Sequence, residues 1–415
     1  MESSAEMKVY ATKRLAVVLQ DSSTGGWRYT CRLLEGLRTV RPDLQITAYL
    51  GRGVFSVDNT TSPPHKLLED IGVTVKRMPP LRGIDRRSTT RFIISLFRKT
   101  LSASAYRRWL LDLDCHDLSL FAWPFGIQCP RSRKPIVFVP HDFNYTHFVG
   151  SYVDKPKDVM LMKAQHQQWI DNAHAVVSSS FIAEEFARTF PMSPQVPHVV
   201  PLSQLGTTGR MDDDEVCSHL EEMQVRGDYI LCLNNISAHK NLGQVLSGYY
   251  YARQKFPNIR LIVAGHGTEG IRANANVPWY VDHVESDAQV MSLGLRSDAE
   301  IKALIQGAKL VINGSVYEAG NGSGLDAWAL GTPVAMSAIP AFIEHTRRLG
   351  VRAETFNPRC CFEIARAILR ILENPALASI DSKHSSEAMK KYTWLDVASR
   401  YSLLFENLMI NHNTC

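Results

Sequence analysis

Nowhere does the chain offer the roughly 18 to 20 uninterrupted apolar residues that a membrane-spanning helix needs. Its opening "MESSAEMKVYATKRLAVVLQ" is polar and acidic ahead of the first apolar run, so no secretory signal is expected. The cysteines (Cys31, Cys115, Cys129, Cys217, Cys232, Cys360, Cys361, Cys415) include no CxxC pair. That argues against a zinc site or a thioredoxin-type motif and fits thiols kept in a reducing compartment. Charge bias is small too, +5 over 415 residues, which by itself does not imply nucleic acid. The expectation is a cytoplasmic protein. With 45% hydrophobic and 21% charged residues the chain reads as globular, and its length suggests two domains of roughly 200 residues each.

Apolar runs alternate with helix-like stretches. "RLAVVLQ", "LQITAYLG" and "PIVFVPHDF" read as buried strands, with the loop "DSSTGG" and the helical "WRYTCRLLEGLRTV" after the first. "AHAVVSSSFIAEEFARTF" gives a strand, a Ser-rich turn supplying an N-cap, and a helix. The grammar repeats from "YILCLNN" through "NLGQVLSGYYYARQKF", "IRLIVAG", "VMSLG", "DAEIKALIQGA", "KLVING", "GLDAWALG" and "TPVAMS". Such alternation means α/β architecture, two doubly wound parallel sheets in succession. The expected boundaries are a first domain over 1–203, a linker over 204–227 and a second domain over 228–392. A final amphipathic helix over 393–410 is free to pack back on the first domain.

"LIVAGHGTEG" carries Gly265-x-Gly267-x-x-Gly270, the spacing of a dinucleotide fingerprint. In that fold the third glycine opens a long helix, and an acidic residue about 20 positions on closes the second strand. Here two Asn and Pro278 follow Gly270, and "VMSLG" ends in Leu293-Gly294, so NAD or FAD is disfavoured. The alternative is a tight turn at a strand's carboxyl end. "VYEAGNGSGLDAWALGTPVAMS" is more informative: Glu318 and Asp326 bracket Gly320, Asn321, Gly322, Ser323 and Gly324 ahead of a helix. Backbone N–H groups at a helix N-terminus accept phosphate, and carboxylates accept hydrogen bonds from sugar hydroxyls. A polyanionic ligand carrying hydroxyls suits both.

Glu318-x7-Asp326 followed by "WALGTPVAMS" resembles the E-x7-E motif of retaining GT-B glycosyltransferases of family 4, glycosyl transferases group 1, with its usual continuation "EAMACGTPVVAS". The resemblance extends through "STGGWRYTCRLLEGL", "VPHDF", "VVSSSFIAEEF", "VVPLS", "LNNISAHKNL", "LIVAGHGTEG", "SLGLRSDAEIKALIQGAKLVINGSVYEAG" and "YTWLDVASRYSLLF". It implies the GT-B fold, two Rossmann-like domains facing across a cleft, with "GHGTEG" a scaffold turn. Two positions depart from the family pattern. Asp326 stands for its second Glu, and "GR-x4-K" is Asn234-Asn235-x4-Lys240, without the arginine and with His239 before the lysine.

The resemblance assigns roles. Lys240, with His239 as second candidate, neutralises the leaving pyrophosphate, a duty for which a preorganised cation contributes several kcal/mol. His141 contacts the sugar near the reacting carbon, and Asp142 caps the following turn. Gly25 and Gly26 let the backbone approach the donor closely. Glu318 lines the sugar pocket, the amides from Asn321 through Gly322, Ser323 and Gly324 to Leu325 bind hexose hydroxyls or phosphate, and Asp326 takes the ribose. "MDDDE" at 211–215 suits a helix N-terminus rather than a metal, so neither metal nor cofactor is expected.

The activity implied is retaining transfer of a hexose, mannose first, from a nucleotide-diphosphate sugar to a glycan or lipid-linked acceptor in cell-surface polysaccharide synthesis. A silent sugar-nucleotide-binding scaffold and a GT-B-shaped isomerase stay open beside it. Residues 82–108 hold Arg82, Arg86, Arg87, Arg91, Arg98, Lys99, Arg107 and Arg108 against Asp85, interleaved with Phe92, Ile93, Leu96 and Phe97. This is either a solvated helix face or peripheral contact at the inner membrane face; nucleic acid is not expected.

Overall fold

The computed structural model describes residues 13–21, 25–52, 64–79, 104–122, 124, 127–148, 156–206, 209–269 and 289–413. The charge-rich stretch 82–103 and the segment 270–288, beginning with the last glycine of "GHGTEG", lie outside them; 104–108 open a helix over 104–114.

Thirteen strands are described: β1 (Arg14–Asp21), β2 (Gln45–Arg52), β3 (Thr74–Arg77), β4 (Leu118–Phe121), β5 (Ile136–Phe138), β6 (His174–Val177), β7 (His198–Val199), β8 (Tyr229–Leu233), β9 (Arg260–Ala264), β10 (Val290–Gly294), β11 (Leu310–Asn313), β12 (Val334–Ser337) and β13 (Glu354–Phe356). They form a seven-stranded sheet ordered β3-β2-β1-β4-β5-β6-β7 and a six-stranded sheet ordered β10-β9-β8-β11-β12-β13. The pairings of β1 with β2 and β4, and of β8 with β9 and β11, are parallel. Leu15 to Leu19 of β1 are all buried, as a strand covered on both faces requires.

The chain divides into two compact units. The first comprises Met1–Pro140, Gln165–Val176 and Ala398–Cys415, the second His141–Ala164 and Val177–Val397. In the first, helix Gly25–Val40 follows β1 and buries Leu33, Leu34 and Leu37. The last helix, Trp394–Asn413, gives its residues from Ala398 onward to this unit. There the hydroxyls of Tyr29 and Tyr401 meet, and Arg41 reaches Glu406 (2.5 Å) and Ser402 (3.3 Å).

Alternation in the second unit divides its core between the two sheet faces. Tyr229, Leu231, Ile262 and Val311 pack with Leu325, Trp328 and Phe342. Ile230, Cys232, Leu261, Val263 and Ile312 pack with Leu246, Tyr249, Ile364 and Ile368. The stretch 204–227 is more than a connector, because it holds helix Asp213–Glu222, whose Val216 packs on Ala303 beside Met211. Its first turn carries Asp213, Asp214 and Glu215, the arrangement that a helix dipole favours.

Among the described residues no helix is long and apolar enough to cross a membrane. None of their His, Cys, Asp and Glu side chains gather in a group of three or more that could hold a metal ion. Their seven cysteines are free thiols.

Candidate functional site

The second sheet reverses its winding between β8 and β11, since the order runs outward from β8 through β9 to β10 and from β11 through β12 to β13. Ligands of doubly wound sheets bind beyond the carboxyl ends of the strands at such a switch point. β8 leads into the turn Ala238–Lys240, and β11 into the loop bearing Glu318 and then helix Gly322–Leu330. The two ends emerge side by side. The Lys240 ammonium is hydrogen-bonded to Glu318 Oε1, the two side chains being 18% and 14% exposed. The amide of Val316 donates to the His239 carbonyl at 2.8 Å, stitching one loop to the other.

Behind the ion pair lies a buried polar network. Ser315 Oγ is 2.8 Å from both Glu318 Oε1 and Asn313 Oδ1, and the Ser315 amide donates to Asn313 Oδ1 at 3.2 Å. Asn313 Nδ2 donates to Asn321 Oδ1 and to Ser323 Oγ, each at 3.1 Å. Asn321 is the N-cap of helix Gly322–Leu330, its Oδ1 accepting from the Gly324 amide at 3.0 Å. The Leu325 amide donates to the Asn321 carbonyl at 2.8 Å. Of the amides expected to meet the ligand, those of Gly324 and Leu325 are therefore used internally. The remaining expected amides are those of Asn321, Gly322 and Ser323, at the helix start.

The glycines of this turn have packing reasons. A Cβ on Gly324 would lie 2.2 Å from Asn321 Nδ2. One on Gly320 would lie 2.6 Å from Leu202 Cδ1, and one on Gly322 3.0 Å from Leu205 Cδ1. The segment 202–206 therefore runs along the turn. Asp326, 7% exposed, holds it there: its Oδ1 accepts from the amides of Leu205 (2.7 Å) and Gly206 (2.8 Å). Ribose contact would have to use the rest of that carboxylate or displace these amides.

His141 and Asp142 belong to the same unit as Lys240 and Glu318. The structure ends β5 at Phe138, so His141 lies beyond the strand rather than at its end. Its φ is 54°, a left-handed conformation uncommon outside glycine and concentrated at functional sites. Asp142 Oδ1 accepts from the Asn144 amide at 3.0 Å, the expected capping contact. Burial pushes the Asp142 carboxyl up to about 6; the Glu318 charge adds to this, while the Asn144 amide, Lys240 and His147 oppose it. The Phe143 amide donates to the Tyr317 hydroxyl at 3.2 Å, fixing this loop to the one that bears Glu318. Burial pushes His239 down to about 4, so its imidazole is neutral at pH 7 and the cation of this turn is Lys240. Asn235 uses its Oδ1 on the Ser237 amide at 3.0 Å, a turn contact in place of a cation. Gly25 and Gly26 open helix Gly25–Val40 in the first unit.

Lys240, Glu318 and the Asn321–Asp326 turn all fall within residues 222–393, which match the family model for glycosyl transferases group 1. Over this stretch the chain is similar to the glycosyl transferases of group 1. No curated protein matches the chain significantly in sequence. Among solved structures, Anabaena Alr3699/HepE in complex with UDP-glucose superposes with a TM-score of 0.66 at 15% identity, covering 95% of this chain and 99% of that one. Sucrose-phosphate synthase from Thermosynechococcus elongatus gives 0.65 at 15% identity, covering 96% of this chain and 100% of that one. WaaG, a glycosyltransferase involved in lipopolysaccharide biosynthesis, gives 0.65 at 11% identity, covering 94% and 99%. At these identities the likeness speaks to the fold, which is GT-B. Together with the group 1 match over 222–393, this makes the protein a glycosyltransferase.

Sequence reasoning passed over Asn313, Ser315 and Tyr317. A polar residue closing the buried strand "LVIN" was a signal for Asn313; its partners eight and ten residues on were not visible without the fold.

Proposed function

We propose that this glycosyltransferase moves a hexose from a nucleotide-diphosphate sugar to an acceptor hydroxyl of a glycan or lipid-linked molecule, with retention at the anomeric carbon. The observation that carries the reading is the Lys240–Glu318 pair at the switch point, beside the amides of Gly322 and Ser323. The donor's bond between the anomeric carbon and the phosphate oxygen breaks through an oxocarbenium-like state. Lys240 and the helix N-terminus stabilise the departing diphosphate, which takes the proton of the attacking hydroxyl on the same face. On donor binding Glu318 exchanges its lysine for hydroxyls of the sugar, which frees Lys240 for the diphosphate. No metal or covalent nucleophile is invoked.

Mannose from GDP-mannose is the first donor to test, on the resemblance of "EAGNGSGLDAWALG" to mannosyl- and rhamnosyl-type enzymes. UDP-glucose, bound by the Anabaena neighbour, is the second. Cell-surface polysaccharide assembly is the proposed setting. Thermal-shift titration with UDP, GDP, dTDP, ADP and NAD names the base, and release of that diphosphate from its sugar donors tests turnover. NMR of the product then assigns the anomer. Binding without release would point to a silent scaffold, a second sugar nucleotide as product to an isomerase, and a response to NAD alone would overturn the reading.

A further inference from the structure

Asn313 is 3% exposed and uses its whole amide. Its Oδ1 accepts the Ser315 amide and faces the Ser315 hydroxyl; its Nδ2 donates to Asn321 Oδ1 and Ser323 Oγ. Backbone donors fix the orientation at both ends. The Ser315 N–H requires oxygen on one side, and Asn321 Oδ1, already accepting the Gly324 N–H, requires nitrogen on the other. The Ser315 hydroxyl has one proton for two acceptors, and the Glu318 carboxylate is the stronger. One side chain thus touches both functional halves of the turn: the carboxylate arm through Ser315, and the helix N-terminus through Asn321 and Ser323.

We infer that Asn313 is a positioning residue for the transfer reaction, setting Glu318 and its lysine partner against the Gly322–Ser323 amides so that sugar and diphosphate are held in one register. The inference rests on the proposed donor site. A buried network in which every partner is satisfied specifies one geometry, while a half-satisfied one does not. The two arms are separable. Ser315→Ala removes the hydroxyl that joins Asn313 to Glu318 and leaves the Ser315 amide bond to Asn313 and the contacts with Asn321 and Ser323 in place. Asn313→Asp keeps the acceptor facing Ser315 but turns the donor facing Asn321 into an oxygen that repels Asn321 Oδ1 and carries charge next to the amides that would meet phosphate.

The test measures the dissociation constant of the nucleoside diphosphate the wild type binds, chosen from UDP, GDP, dTDP and ADP, together with kcat and KM for its sugar donor. Ser315→Ala is expected to lower kcat about tenfold and leave the diphosphate constant within about twofold, with Ser315→Thr restoring kcat. Asn313→Asp is expected to weaken diphosphate binding about tenfold and lower kcat further. Thermal melts on every variant set aside those that merely unfold, and Ser315→Ala, remote from the helix cap, keeps the split measurable if Asn313→Asp does not fold. Unchanged kcat in Ser315→Ala overturns the inference. So does a loss of binding and turnover in Ser315→Ala that follows a lowered melting temperature and is not restored by Thr. A wild type that neither binds a nucleoside diphosphate nor turns over a donor refutes the functional reading instead.

Discussion

Gly324→Ala and Gly322→Ala make a matched pair, since both replace a glycine in the first turn of one helix and both improve intrinsic helix propensity by up to about 1 kcal/mol. Their surroundings differ. A Cβ on Gly324 lies 2.2 Å from Asn321 Nδ2 and 2.5 Å from its Cγ, and Asn321 is fully buried with nowhere to move. Displacing it removes an N-cap worth about 1 kcal/mol. It also strands the Asn313 amide without one acceptor, a loss of about 1 to 3 kcal/mol. Set against the propensity gain, Gly324→Ala should destabilise by about 1 to 3 kcal/mol. At Gly322 the new methyl meets only the end of the Leu205 side chain at 3.0 Å, which a small rotation relieves, so this variant should stay within about 0.5 kcal/mol of wild type. Urea unfolding followed by far-UV circular dichroism, comparing midpoints of the same transition, measures both. Equal midpoints for the two variants, or an unchanged midpoint for Gly324→Ala, would refute the account of why this turn is glycine-rich.

Lys240→Ala should lower kcat for nucleotide release by about 100- to 1000-fold, the usual effect of removing a preorganised charge from a reacting oxygen; a change below threefold would dismiss its catalytic role. The raised Asp142 carboxyl binds its proton more tightly folded than unfolded. Its stabilising contribution is full below about pH 4 and lost as pH rises through about 6, so Asp142→Asn should be the more stable protein at pH 8, by up to about 3 kcal/mol. Denaturation midpoints from pH 4 to pH 8 check this: a gap that does not close on acidification contradicts it. Tyr401→Ala, emptying a fully buried site beside Tyr29, should destabilise the first unit by about 3 to 5 kcal/mol in thermal melts, and an unshifted melt would count against the packing described.

Much of the fold is legible in the sequence because buried parallel strands are short, nearly continuous apolar runs. "RLAVVLQ", "YILCL", "RLIVA" and "LVIN" become β1, β8, β9 and β11. Strand β3 escapes for the opposite physical reason: at the sheet edge, three of its four residues are exposed and leave no apolar signature. The glycine pattern of "GHGTEG" is intelligible once β9 ends at Ala264. Gly265 and Gly267 take φ of 145° and 80°, and a Cβ on Gly265 would strike the Asn234 carbonyl at 2.4 Å, so they turn the chain at the strand's carboxyl end. In the site, Lys240 and Glu318 are readable as charged residues at strand ends, but their direct pairing is not, because 78 residues separate them. Asp326 shows the limit most plainly: its spacing from Glu318 suggests a ligand contact, while its Oδ1 is engaged by the amides of Leu205 and Gly206, some 120 residues earlier.

The closing helix places a constraint on how the protein is made. Tyr401, Ser402 and Glu406 complete the packing around Tyr29 and Arg41, which a ribosome delivers more than 350 residues earlier. Domains ordinarily fold in the order of synthesis. Here the first unit is begun before the second and finished after it, so its early segment must wait with a face uncovered until the second unit has been made.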